Sequence, residues 1–190
     1  MKAGTSPATH VDAEGRLVTV AGKCVYTSTS AVRGVDVRGV TFRDGEVRLD
    51  VRVMSAFERA QFVVQTRAVR GSNWHFATIR PGLGEVIFGK TVDREDTVFG
   101  PRTDLQDLLS PDGWNSLAVR SRGADHWLLI NDLPVLFASD ATFDAGGLTL
   151  SLRRLGDPND DEEVALVFKN LRVSALADGD PARAPSFTRP

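Results

Sequence analysis

At 190 residues, with 42% hydrophobic and 25% charged residues, the chain can bury one core and lacks the depleted-apolar signature of a disordered chain. A formal net charge of −2 argues against the global electrostatic footprint of a nucleic-acid or anionic-membrane binder, so neither is an expected partner. The single cysteine, Cys24, cannot form an internal disulfide, and no apolar run approaches the ~20 residues of a membrane-spanning helix.

Residues 1–11 are small and polar and read as a tail. They hold no apolar segment of the kind a signal peptide needs, so the chain as it stands reads as cytoplasmic, or as extracellular if trimmed from a longer one. From residue 12 onward apolar residues recur at every second position, the period of half-buried strands. Leu17–Val20, Lys23–Tyr26 and Val40–Phe42 come first. Gly45–Val53 is the clearest case, with Val47, Leu49, Val51 and Val53 on one face and Glu46, Arg48, Asp50 and Arg52 on the other. Ala60–Arg67, Trp74–Arg80 and Glu85–Lys90 follow. Thr103–Ser110 alone carries leucines at helical spacing (Leu105, Leu108, Leu109) and reads as a helical turn, with Thr103 as its candidate cap. Strands resume at Trp114–Arg122, His126–Asn131, Val135–Ala138, Leu148–Arg153 and Val164–Val173. Turn residues punctuate them, as at Arg43-Asp44-Gly45, Arg122-Gly123-Ala124 and Asn131-Asp132. Residues 177–190, with three prolines, read as a second tail and leave one domain over residues 12–176. About a dozen short strands without crossover helices make the fold class all-β, a sandwich or a barrel.

The order of motifs separates the two. Trp114, Asn115, Leu117 and Val119 open a strand, Gly123 turns it, and Asn131-Asp132 closes a hairpin. Asp140, Gly146-Gly147 and Leu150 follow, and Val167 to Val173, with Phe168, Asn170 and Leu171, ends the series. This order resembles the second half of a concanavalin A-like, laminin-G-like jelly roll. Upstream, Phe62 to Arg67, Trp74-His75-Phe76 and Val86 to Lys90 resemble that family's strand triplet, so the resemblance spans about Gly15 to Leu176. Asp132 departs from the family's usual glycine, a change that an Asn-Asp turn accommodates. The resemblance implies a two-sheet antiparallel jelly-roll sandwich. Within it Trp114 and Phe168 would anchor the core, Asn131 would sit in a left-handed turn, and Asn170 would bond neighbouring backbone.

It also implies a ligand, a carbohydrate or another small polar molecule, on the concave sheet face or its rim loops. Gln65 and Arg67, taken as outward alternates, would line a basic, aromatic-containing groove with His75, Arg80, Lys90, Arg120, Trp127 and Arg153. Tryptophan stacks on a sugar ring, while arginine and glutamine supply directional hydrogen bonds. Arg67 and Lys90 match polar positions of the family's triplet. The alternative for the same residues is a core tryptophan among sheet-face charges.

Catalytic signals are weaker. Glu46 and Asp50 share a strand face, as a glycosidase carboxylate pair would. The arginines between them would hold both ionised, so the face reads as self-neutralised. His75 and His126 are isolated and read as structural or surface residues, and Cys24 reads as a buried, inert thiol. In the acidic run 157–163, Asp157, Asn159, Asp160 and Asp161 offer hard oxygen ligands that could hold a structural Ca²⁺, without the spaced pattern of a calcium loop. No other cofactor is expected. The leading reading is a non-catalytic binding module. Its rivals are a small-molecule or sugar-active enzyme (a hydrolase, a lyase or a biosynthetic enzyme) on the same face, with His75 or His126 as base and Arg67 holding an anion, and a structural self-association domain. Either a monomer or a homodimer fits these readings.

Overall fold

In the computed structural model, which describes residues 8–11, 17–20, 24–28, 32–55, 57–69, 72–155 and 164–176, the alternating segments become strands joined by tight turns. In chain order they are β1 (Ala8–Val11), β2 (Leu17–Val20), β3 (Cys24–Ser28), β4 (Val32–Asp36), β5 (Gly45–Ser55), β6 (Ala60–Val69) and β7 (Asn73–Arg80). There follow β8 (Glu85–Val92), β9 (Glu95–Arg102), β10 (Asn115–Arg122), β11 (Asp125–Ile130), β12 (Leu133–Ser139), β13 (Gly147–Arg154) and β14 (Val164–Ser174). All pairings are antiparallel. One sheet runs β12-β11-β10-β5-β14-β3, the other β4-β13-β6-β7-β8-β9, and β1 pairs with β2 apart from both. The fold class is all-β, a two-sheet antiparallel jelly-roll sandwich.

Alternation decides what the sandwich buries. Val47, Leu49 and Val51 of β5 meet Ala60, Phe62 and Val64 of β6 and Ala77 and Ile79 of β7 in one continuous core. Burying each of the larger aliphatic and aromatic side chains stabilises the fold by on the order of 2 kcal/mol. Phe168 belongs to this core, as the sequence suggests. Trp114 does not: it stands on the loop before β10, 36% exposed, with the Lys169 ammonium 4.0 Å from its ring centroid.

Several segments depart from the sequence reading. Val40–Phe42 is not a strand; Phe42 makes a single bridge to Gly146. β4 and β9 were not anticipated, and β1 forms where a tail was expected. The helical turn is a 3-10 turn at Gln106–Leu108 that starts from Leu105 without a side-chain cap, so Thr103 does not cap it. Asn131 and Asp132 both take positive φ, 50° and 66°, the turn that the sequence requires. Asn170 also has positive φ at a bulge in β14, but its side chain donates to Asp50 Oδ2 at 2.7 Å rather than to backbone.

Candidate functional site

Strands β6, β7 and β8 carry polar residues on both faces, and the two faces do different things. Register fixes which residues share a face: Trp74 pairs with Thr91, His75 with Lys90 and Phe76 with Gly89. Because side chains alternate, Trp74, Phe76, Thr78 and Arg80 project from the sandwich while His75, Ala77 and Ile79 project into it.

On the outer face lies a depression of about 110 Å³. Trp74, Phe76, Ile87 and Val98 give it an apolar lining. Gly89 makes room for it: a Cβ there would come within 2.6 Å of Phe76 Cζ and 2.5 Å of the Thr97 carbonyl. Gln61, Gln65, Arg80, Asp96 and Arg153 supply the polar lining. Part of that lining is held in place. Arg80 donates from Nε to Gln61 Oε1 at 3.1 Å and from Nη1 to Glu85 Oε2 at 2.7 Å, and Thr91 Oγ1 donates to Asp96 Oδ1 at 2.7 Å. Arg153 is different: its Nε is buried and meets no acceptor.

Inside, at one end of the sandwich, the same strands build a closed polar cluster around Asp140, which follows β12. His75 Nε2 donates to Asp140 Oδ1 at 2.9 Å, and Lys90 Nζ donates to Asp140 Oδ2 at 2.8 Å and to Thr142 Oγ1 at 2.7 Å. His126 Nε2 donates to the Asp140 carbonyl at 3.1 Å, which leaves its Nδ1 to accept from Ser121 Oγ at 2.8 Å. These acceptors place a proton on Nε2 of both imidazoles, and the Ser121 hydroxyl at Nδ1 completes a neutral His126, while His75 Nδ1 meets no partner. The rings stand 4.6 Å apart by centroid, among Phe88, Phe99 and Phe143. Burial is the main cause that lowers both histidine pKa values, that of His126 to about 4, with the neighbouring His75 adding repulsion. Burial alone would raise Asp140, but hydrogen bonds from His75, Lys90 and Thr142 hold it far below the usual carboxylate range.

Arg67 belongs to this interior. It takes φ of +52° at a bulge in β6, and its guanidinium donates to the Arg43 carbonyl from Nε at 3.1 Å and from Nη2 at 2.9 Å, and to the Phe143 carbonyl at 2.9 Å. Gly146 permits this, since a Cβ there would lie 2.4 Å from the Arg67 backbone carbonyl carbon.

The eight predicted groove residues therefore separate into three places. Gln65, Arg80 and Arg153 line the depression. Arg67, His75 and Lys90 face inward, and with Arg67 at 1% and His75 at 0% exposure they are not open to the outer face. Arg120 and Trp127 belong to the other sheet, where Arg120 donates to Glu46 Oε2 at 2.8 Å and Trp127 packs with Ala118, Leu129 and Phe137. The Glu46 face is self-neutralised as expected: burial would raise this carboxyl, and Arg48 and Arg120 lower it. Sequence reasoning missed Trp74, Phe76 and Asp96 of the depression and Asp140 of the interior. For Trp74 a signal existed, since it alternates with His75. The proposed calcium ligands Asp157, Asn159, Asp160 and Asp161, and the side chain of Cys24, lie outside the described residues.

No protein-family model and no curated protein matches this sequence. Solved structures match it in three dimensions. The carbohydrate binding module CBM66 from Bacillus subtilis superposes with a TM-score of 0.61 at 16% identity, over 92% of this chain and 99% of that one. A beta-glucanase from Bacillus licheniformis does so at 0.56 and 10% identity, over 89% of this chain and 82% of the enzyme. The Caenorhabditis elegans galectin LEC-6 gives 0.52 at 13% identity, over 79% and 95%. At such identities the likeness is one of fold.

Proposed function

We propose that this chain, which has the concanavalin A-like jelly-roll fold, is a non-catalytic binding module that holds a carbohydrate in the depression over β6, β7, β8 and β13. The observation that carries this reading is the composition of the depression: aromatic surface from Trp74 and Phe76 beside Gln61, Gln65 and Arg153, whose Nε meets no acceptor. A sugar ring offers C–H faces to the former and hydroxyls to the latter. The likeness over nearly the whole length of a carbohydrate binding module supports the same reading.

Catalysis would need an acid or base within reach of the substrate. His75 and His126 are fully buried at 0% exposure, Glu46 is saturated by two arginines on the opposite sheet, and Asp96, the carboxylate of the depression, is held by Thr91 Oγ1 at 2.7 Å. These arrangements favour the binding reading.

Isothermal titration against a panel of neutral and acidic oligosaccharides tests the proposal. At least one saccharide binds, and Trp74→Ala weakens it about tenfold, the effect of one lost aromatic contact. A panel without a binder, or a binder that Trp74→Ala and Gln65→Ala both leave unaffected, overturns the reading.

A further inference from the structure

Arg153, Gln61, Arg80 and Glu85 form one cross-strand row at one end of the depression, through the pairs Arg153↔Gln61 and Arg80↔Glu85 and the Arg80–Gln61 hydrogen bond. Glu85 neutralises Arg80 within that row. Among the described residues nothing neutralises Arg153. Its Nε is buried without an acceptor, and among the described residues no carboxylate pairs with its guanidinium. Asp96, the acidic residue of the lining, stands with Thr91 and Trp74 at the other end. Trp74 and Arg80 lie six positions apart in β7, roughly 20 Å at the rise of a strand. The depression is thus polarised along its length, aromatic at one end and with an uncompensated cation at the other.

We propose that the Arg153 end is an anion subsite and that the ligand is an acidic oligosaccharide, carrying a carboxylate or a sulfate ester on the unit seated there. This rests on the carbohydrate-binding reading above and names the class of sugar. A guanidinium N–H left unmade in a partly dehydrated site is costly, and an anionic oxygen satisfies both the hydrogen bond and the charge. The planar fork of arginine suits such a group better than a neutral hydroxyl does. Trp74 would take a neighbouring ring by stacking, which makes the site one for an oligomer.

Two matched pairs of probes test this: oligogalacturonate against its methyl ester, and a sulfated galactan oligomer against its desulfated form. The charged member of at least one pair binds about ten- to a hundredfold more tightly, the value of a charge-assisted hydrogen bond, and the gap narrows as salt rises. The pair that shows the gap distinguishes carboxylate from sulfate. Arg153→Gln abolishes the gap by bringing the charged probe down to the affinity of its neutral partner, and Arg153→Lys retains part of the gap. In the parent protein the Arg153 Nε–H resonance shifts with the charged probe and not with its neutral partner, a readout that does not depend on a variant folding. Equal binding of charged and neutral probes, or a gap that survives Arg153→Gln, overturns the anion subsite while the carbohydrate reading stands. Failure of all four probes overturns the anion subsite; failure across the wider neutral and acidic panel overturns both.

Discussion

Trp74 and His75 are adjacent in sequence, as are Lys90 and Thr91, yet each pair divides between two regions of opposite character. The inward members join a cluster in which Asp140 receives His75 and Lys90, His126 is bonded at both ring nitrogens, and Arg67 reaches two backbone carbonyls. The outward members border a depression in which the Arg153 Nε is buried without an acceptor. Perturbed protonation therefore marks the structural region here, and access rather than saturation separates the two: His75 Nδ1, also without a partner, is fully buried among aromatic rings, whereas the unpaired Arg153 Nε borders the depression.

The largest expected effect breaks the inner region. Asp140→Ala strands Lys90 and the His75 Nε2–H at once, and loss of one partner of a largely buried ion pair costs about 3–5 kcal/mol. Urea unfolding with an unchanged slope measures it. Saccharide affinity of the folded variant stays within about twofold, because Asp140 is not part of the depression. A cost below about 1 kcal/mol would show that the cluster does not lock the sheets.

Acid tests the same region without mutation. The folded protein holds His126 neutral down to about 4, while the unfolded chain protonates it near 6.5. The unfolded state then binds more protons in that window, so stability is complete above about 6.5 and falls as pH drops toward 4. The loss is on the order of 3 kcal/mol from His126, and His75, shifted the same way, adds to it. Asp140, shifted down, adds its own loss as pH falls through the ordinary carboxylate range and below it. The positive charge of Arg67 opposes protonation of both rings, and that of Lys90 opposes protonation of His75. Unfolding midpoints from pH 7 to 4 report the slope, and His126→Gln flattens it. A flat profile in the parent would show that the rings are accessible to water.

Sequence alone made the alternation legible, and with it the sandwich and most strand positions. It did not make legible which sheet each strand joins. Arg120 and Trp127 alternate outward as expected but from β10 and β11, on the far side of the molecule from Gln65. Nor could it show the positive φ of Arg67, since arginine seldom marks a left-handed position and the bulge reverses the direction of its side chain. β9 was hidden because Glu95–Arg102 mixes charges with Gly100 and Pro101, and because Asp93-Arg94 turns into it without a glycine. Asp140 was out of reach for another reason: its side-chain partners Lys90 and His75 precede it by 50 and 65 residues.

The smallest expected effect sharpens the comparison most, because one residue takes part in both kinds of contact. The Arg43 side chain forms an ion pair with Asp144 at 2.7 Å in which the two side chains are 62% and 71% exposed. Its backbone carbonyl accepts two hydrogen bonds from buried Arg67. Arg43→Ala deletes the exposed pair and keeps the carbonyl. A solvated pair contributes roughly 0–1 kcal/mol, so the variant should unfold within about 0.5 kcal/mol of the parent and lose only a slight salt dependence. If it instead loses more than about 1 kcal/mol, the surface pair is what positions the carbonyl for Arg67, and the inner cluster draws its order from a contact outside it. Urea midpoints at low and high salt decide between the two, since a loss that screening abolishes belongs to the ion pair and one that persists belongs to the buried acceptor.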